Sequence, residues 1–501
     1  MVSGAVSAAR FRFKPGKVCR LRRSTRIASS RRWQQACRRF AFVSDTSRSG
    51  TRRRVFPLRI SADSIASEER SFRMVGLRSR HALTLASFGI GLVAATAQAQ
   101  SFGPELHNAL MPASGGMAGA SIARPQDLQS ALNGNPATLA QFRGTQFSFG
   151  GAWAEPTYNV THTGGVLPNV DAYAAKSEAE GSSLANIGVT QDFSTFDLPI
   201  TTGIALISAG GGGVSFRNVP ESNGTSAMLQ TLEVVAGAGV KLTDRLAAGA
   251  NIMLGSSTID GPFVGLTAAA YDYALRGSIG LNFDAGNCTA LGLYYQSKQS
   301  FNFDDAVVLD LGPGFESVSR DIAVDLPDNI GLGIANESLM GGNLLLAADV
   351  LYKQWDNADL FRSIYDNQWV FQLGAQYRFS RRIFLRAGYA YAENAMDPNP
   401  GASAGGISPP GALAAIQYAQ AQFAAINRHR VSAGIGVRDV LPGVDFDLLA
   451  GGMFDESDSF GATSASVESY WLGVGMTWRF GRGCFERLPV PDDWCEAACC
   501  E

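Results

Sequence analysis

From Tyr470 to Phe480 every second residue is apolar or aromatic: Tyr470, Leu472, Val474, Met476, Trp478 and Phe480. Their neighbours Gly473, Gly475, Thr477 and Arg479 are small or polar. A period of two makes a β-strand with one apolar and one polar face. Aromatics at both ends of the apolar face suit the two girdles of a membrane-spanning strand. A strand crosses lipid only within a closed barrel, because every backbone N–H and C=O must be paired. This one segment therefore predicts an all-β, membrane-embedded fold.

The same alternation recurs from Gly144 to Phe480. Fourteen segments are expected, near 144–157, 183–193, 199–216, 229–242, 245–258, 268–283, 287–303, 319–336, 342–356, 367–379, 382–394, 427–439, 443–455 and 467–480. Connections after even-numbered segments are short, such as Thr243-Asp244 and Ser380-Arg381. Those after odd-numbered segments are mostly long, the longest running from Ala395 to Ile426. Short periplasmic turns alternating with long outer loops mark an outer-membrane barrel, and a soluble sandwich has no reason to keep that parity. The expectation is a 14-stranded antiparallel transmembrane β-barrel over 144–480.

On this register Glu233, Lys241, Asp272, Arg276, Asp349, Lys353, Arg378, Arg386, Arg430, Arg438, Asp445, Asp447 and Arg479 point into the lumen. Such charges must be paired or hydrated. A water-filled bore would serve, and so would a plug. Residues 100–143 read as that plug: they are rich in small residues and turns, too long for a leader and too short for a domain.

Charge is uneven along the chain. Of 42 Lys+Arg, 19 fall in residues 1–73, with four acids beside them. A basic run of this kind can bind nucleic acid, but the next segment of the chain argues against it. After Met74 come Arg78, Arg80 and His81, an apolar run Ala82–Ala95, and the small-x-small site Ala97-Gln98-Ala99. This is the pattern of a secretory signal peptide, expected over 74–99 with cleavage near Ala99. Residues 1–73 are then a mis-called start or a disordered basic leader. From Gln100 onward 21 Lys+Arg face 40 Asp+Glu, a net of −19. No helical span of about 18 apolar residues follows the signal.

Seven cysteines occur. Cys19 and Cys37 lie in the leader, Cys288 sits alone at a turn, and Cys484, Cys495, Cys499 and Cys500 crowd the tail 481–501. An oxidising periplasm favours disulfides for that cluster. The spacing fits no zinc pattern, so no metal is expected.

Several blocks carry a family resemblance. They are Gly116-Met117-Ala118-Gly119-Ala120 with Asn135-Pro136-Ala137, then Asp325–Gly333 and Leu345–Val350. Leu373–Arg378, Leu385–Tyr391 and Arg428–Gly436 complete the set. Together they resemble the FadL-type long-chain fatty acid transporters of the outer membrane, which include aromatic-hydrocarbon uptake channels. The resemblance covers roughly 105–480. It implies a fourteen-stranded barrel closed by an N-terminal hatch, passive uptake of a hydrophobic small molecule, and lateral release beside a kinked third strand. A fatty acid is the first substrate expected, and an aromatic hydrocarbon the alternative within the family. Neither a cofactor nor a nucleic-acid partner is implied. Outer-membrane lipid and the barrel assembly machinery are the expected partners of a monomer.

Three sets of residues are candidates for that route. Gly210, Gly211, Gly212 and Gly213 weaken the third strand, as a lateral gap or merely as the strand's outer end. Parity holds from Ile204 to Phe216, so no bulge is demanded. Phe263, Val264, Leu266, Val307, Val308, Leu309, Leu311 and Phe315 are apolar loop residues, which suggests a ligand-catching groove or simple loop packing. Asn135, Pro136 and Ala137 fix a turn in the hatch, as structure or as gate. Arg386 or Arg438 could meet a carboxylate, but pairing with Asp349, Asp445 or Asp447 is the commoner outcome, so no carboxylate-binding residue is assigned. His162 and His429 belong to no nucleophile set, so enzyme chemistry is not expected. A general diffusion porin is the remaining rival.

Overall fold

The computed structural model describes residues 105, 107–167, 169–260, 269–309, 318–401 and 412–480, with side chains described except at 307–309 and 318–320. The leader, the signal segment and the tail 481–501 lie outside the described residues.

Seventeen strands follow in order. The first eight are β1 (Thr145–His162), β2 (Tyr173–Lys176), β3 (Ser182–Asp192), β4 (Ile200–Ser215), β5 (Ser226–Lys241), β6 (Leu246–Asp260), β7 (Ala269–Gly286) and β8 (Thr289–Gln296). The rest are β9 (Gln299–Leu309), β10 (Val318–Leu326), β11 (Asp328–Leu339), β12 (Leu344–Gln354), β13 (Gln368–Arg378), β14 (Ile383–Ala392), β15 (His429–Leu441), β16 (Val444–Phe460) and β17 (Thr463–Phe480). Fourteen of them form one antiparallel ring, each hydrogen-bonded to its neighbours, and the pairing of β17 with β1 closes it. The short β2 lies beside β1, while β9 and β10 pair only with each other.

The outward face of this ring is apolar. Ile279, Leu332, Leu373 and Leu472 are each more than half exposed, as are many other large apolar side chains. Water would not tolerate a continuous belt of this kind, so its solvent is lipid. Aromatics edge the belt. Trp153, Tyr271, Tyr273, Trp369 and Tyr470 are exposed toward one end, and Phe147, Phe283, Phe379 and Phe480 toward the other. Among the described residues no helix is long and apolar enough to cross a membrane.

The wall departs from the expected segments between β8 and β11. Expected strands seven and eight are each broken in two, and their outer halves leave the ring as the β9–β10 hairpin. Pro327 stands between β10 and β11. Lacking an N–H, it cannot continue the ladder. The next residue, Asp328, accepts from the Lys298 N–H at 3.0 Å and the Tyr295 hydroxyl at 2.6 Å on the facing strand segment, at the break between β8 and β9.

Cys288, at the turn between β7 and β8, is disulfide-bonded. It is the one cysteine among the described residues, so its partner lies outside them.

Candidate functional site

The lumen is filled. Residues 107–143 coil inside the ring as a 3-10 turn (Ser114–Met117), a short helix (Leu128–Asn133) and a second 3-10 turn (Pro136–Gln141). Asp127 organises this plug. Its Oδ1 accepts the Ser130 N–H at 2.8 Å as an N-cap, and its Oδ2 accepts from Ala113 and Ser114 at 3.0 and 2.7 Å. Capping with a carboxylate satisfies the orphan amides of a helix start.

Asn135-Pro136-Ala137 sits where the plug meets the wall. Asn135 Oδ1 accepts the Ala137 N–H at 3.1 Å, while Nδ2 donates to the carbonyls of Ile122 and Leu281, each at 2.9 Å. Pro136 starts the following turn, where no N–H is needed. The facing wall positions lack side chains. A Cβ on Gly249 would lie 2.4 Å from Ala137 N, and one on Gly280 would lie 2.0 Å from Asn135 Oδ1. The small-residue stretch docks the same way on the other side. A Cβ on Gly388 would fall 2.2 Å from the Met117 carbonyl carbon, and one on Gly116 would fall 3.0 Å from Gly434 Cα. Asp349 then accepts the N–H groups of Ser121 and Ile122 at 2.6 and 2.9 Å, and Ser432 accepts that of Ala118 at 2.8 Å.

Three of the inward arginines pair with aspartates. Arg386 donates to Asp447 at 2.6 Å, Arg438 reaches Asp447 at 3.0 Å and Asp445 at 3.6 Å, and Arg479 reaches Asp445 at 3.0 Å. Asp349 takes no part in this set and holds the plug instead.

Above the plug lies a second charged cluster. Glu105 is bonded to Lys353 at 2.9 Å, to Arg276 at 3.0 Å and to Asn329 at 2.8 Å. Arg276 also reaches Glu233 at 2.9 Å. Burial would raise the Glu105 pKa, but the cations Lys353 and Arg276 outweigh it and hold the group at about 2. Two residues on, His107 lies 2.6 Å from the Tyr294 hydroxyl. Burial, reinforced by Lys353, lowers its pKa to about 3, so it is neutral at pH 7.

Glu105 and His107 border a cavity of about 40 Å³ that is also lined by Lys353, Trp355, Arg430 and Trp471. Such a space holds one or two waters. Outer segments roof it. Tyr158 donates to the Ala421 carbonyl at 2.6 Å and accepts the Ala424 N–H at 2.8 Å, while Tyr418 on helix Ala412–Gln422 meets Tyr173 at 2.8 Å and Thr225 at 3.0 Å.

The wall is incomplete between β3 and β4. β3 pairs with β1 as far as Ser182, but with β4 only from Ile187↔Leu206 to Asp192↔Thr201. Beyond that point side chains stitch the seam. The Ser208 N–H donates to Asn186 Oδ1 at 3.1 Å, and the Ser208 hydroxyl meets the Ala185 carbonyl at 3.2 Å. The β4–β5 register slips between Ser208 and Gly210, leaving Ala209 as a bulge. From Ala209 to Val214 every residue is buried, whichever way it points. The Gly210–Gly213 run lies in this stretch. Gly213 has φ +146°, and a Cβ there would fall 1.9 Å from the Ala227 carbonyl oxygen. Glu105 forms an isolated antiparallel bridge with Gly210, so the segment before the plug meets the wall at the seam. Sequence parity hid the bulge because Ala and Gly fit either face.

Val307, Val308 and Leu309 lie in β9, paired with Val318–Arg320 of β10. Phe263, Val264, Leu266, Leu311 and Phe315 lie outside the described residues. Glu105 and His107 were not among the sequence candidates. The signal was available, because Glu105 and Asp127 are the only acids in residues 100–143, and each anchors a network.

These features define a plugged, fourteen-stranded membrane barrel with a seam in its wall. Solved structures share that fold. The chain aligns with the Pseudomonas putida toluene transporter TodX at 18% identity and a TM-score of 0.54, over 74% of this chain and 98% of that one. It aligns with a Pseudomonas aeruginosa FadL homologue at 13% identity and a TM-score of 0.56, over 77% of this chain and 100% of that one. At such identities the likeness is one of fold. No protein-family model and no curated protein matches the sequence.

Proposed function

We propose that this chain is an outer-membrane channel for passive uptake of hydrophobic small molecules, long-chain fatty acids first among them, with lateral release into the bilayer through the β3–β4 seam. The observation that carries this reading is the seam itself: an unpaired stretch of wall, rich in glycine, touched by the segment leading into the plug. A seam gives an apolar solute a path into lipid, which the hydrophobic effect favours by roughly 0.8 kcal/mol per CH₂. Trp355 and Trp471 give the cavity apolar walls that suit a hydrophobic ligand, beside a polar edge where Lys353 is already held by Glu105 at 2.9 Å. At about 40 Å³ it is the closed state of a site that a ligand must enlarge, since small-molecule pockets span roughly 300–1,000 Å³. Export through the 74–99 signal, insertion by the barrel assembly machinery and a monomeric state belong to the same proposal. The apolar loops bearing Phe263 and Phe315 remain its candidate capture groove.

The test is uptake. Deleting the gene is expected to cut growth on oleate as sole carbon source, and re-expression to restore it. Rescue of growth on toluene alone moves the substrate to the aromatic class. Free sugar flux in liposome swelling would establish a diffusion porin instead, the reading that a filled lumen disfavours.

A further inference from the structure

We propose that the cavity above the plug is a head-group subsite for one uncharged hydroxyl, read by Trp355 as donor and Gln372 as acceptor. The proposal rests on the uptake function proposed above, and it names the head that the hydrophobic ligand carries: that of an alcohol or a phenol.

Trp355, Gln372 and His107 all line the cavity, and they are 2%, 5% and 6% exposed. Trp355 Nε1, Gln372 Oε1 and His107 Nδ1 have no hydrogen-bond partner among the described residues. Buried polar groups are almost always paired, and a buried indole N–H usually finds a partner. The space that these three side chains share is where a polar group of a ligand would meet them.

Each is held in place. Trp355 opens the 3-10 turn Trp355–Asn357 after β12, and its ring meets Phe361 and Tyr365 edge-on at 5.3 and 5.2 Å. Gln372 lies in β13, paired with Asp349 on one side and Ala390 on the other. A Cβ on Gly119 would fall 2.9 Å from Gln372 Nε2, so the amide nitrogen lies against the plug. His107 is fixed through Nε2 by the Tyr294 hydroxyl at 2.6 Å, and its Nδ1 donates or accepts according to tautomer. Polar groups on rigid elements read a ligand more precisely than groups on loops.

Chemistry then selects the head. The Trp355 N–H only donates, and Gln372 Oε1 only accepts. A hydroxyl answers both, giving its proton to Gln372 and a lone pair to Trp355. A hydrocarbon answers neither. A carboxylate brings acceptors alone and would be repelled by Gln372 Oε1. Size agrees. About 40 Å³ is room for one or two waters, and a hydroxyl is a single heavy atom where a carboxylate has three. Charge supplies the rival. Lys353 is held by Glu105 at 2.9 Å, but Arg430 also borders the cavity, so an anionic head is set against the hydroxyl in the test.

Full-length protein purified from outer membranes in detergent is titrated by calorimetry with 4-methylphenol, 1,4-dimethylbenzene and 4-methylbenzoate, against detergent alone as blank. The first two differ only by hydroxyl for methyl. The wild type is expected to bind the phenol about tenfold or more tightly than the dimethylbenzene, because a site built to bond a hydroxyl rejects the analogue without one. Trp355→Phe with Gln372→Leu should bring the two within about twofold and leave the dimethylbenzene affinity unchanged. The wild-type comparison stands even if the variant does not fold. Equal wild-type affinities overturn the subsite and leave hydrophobic uptake standing. Tighter binding of 4-methylbenzoate overturns it in favour of an anionic head at Arg430. Selectivity that survives both substitutions overturns the assignment of Trp355 and Gln372. Binding of none of the three overturns the subsite, while growth on oleate or toluene judges uptake separately.

Discussion

Glu105 and Lys353 form a buried ion pair of 2.9 Å at the point where the chain enters the plug. Glu105 also bridges Gly210 at the wall seam. One residue thus joins three elements: its carboxylate holds the lumenal cations at the entry to the plug, and its backbone pairs with the bulged strand β4.

Acid should loosen this junction in two stages. The His107 pKa is lowered from 6.5 to about 3, so its neutral form contributes stability above pH 6.5 that is lost as pH falls through that window. The Glu105 pKa is lowered from 4.5 to about 2, so its contribution is full above 4.5 and is lost toward pH 2. Protection factors of amides 107–120, corrected for intrinsic exchange, should be high at pH 7 and fall progressively between pH 6 and 3. His107→Phe should remove the earlier part of that fall. Protection independent of pH across this range would refute the coupling.

Gly249→Ala should undock the plug. The added Cβ meets backbone atoms of Pro136 and Ala137, which cannot rotate away. Overpacking of this kind costs about 1–3 kcal/mol. Single-channel recordings should show frequent openings in the variant and a quiet wild type. Equal conductance would mean that the plug shifts without leaving its seat.

A disulfide across the seam should block release. In Ala185→Cys with Ser208→Cys, the two residues that already meet across the seam are joined covalently. Oleate uptake should fall at least tenfold when oxidised and recover with dithiothreitol. Undiminished uptake by the oxidised protein would rule out this exit.

Arg386→Met should destabilise the barrel. It removes the 2.6 Å partner of Asp447 and the 2.7 Å donor to Gln376. Removing one member of a buried pair costs about 3–5 kcal/mol. The heat-dependent gel shift should move to lower temperature, and the further change Asp447→Asn should recover part of the loss.

The strand ring was legible because period two survives any local irregularity, and fourteen such segments keep their parity. The break at β8–β9 was less so. Pro327 gave a warning, but apolar residues continue on both sides of it and hid the departure of the outer hairpin. Asn135-Pro136-Ala137 was visible as a turn. Its docking was not, because the facing residues are glycines from β6 and β7, more than 100 residues away. The seam escaped for a related reason: Ala209 and its glycines have no polarity to betray which way they face. Glu105 needed its partners, Arg276 and Lys353, which only the closed ring brings to it.

Closure of the ring has a kinetic consequence. β1 and β17 are joined by eighteen residue pairs, from Thr145↔Phe480 to His162↔Thr463, each more than 300 positions apart in the chain. Contacts so distant form late. Until β17 arrives, β1 remains an open edge that can recruit strands from other molecules. The last eighteen described residues thus end a period of aggregation risk that begins as soon as β1 is free in solution. A truncation that removes β17, Thr463–Phe480, would leave the pairings among the other strands and still deprive β1 of the partner that shields it.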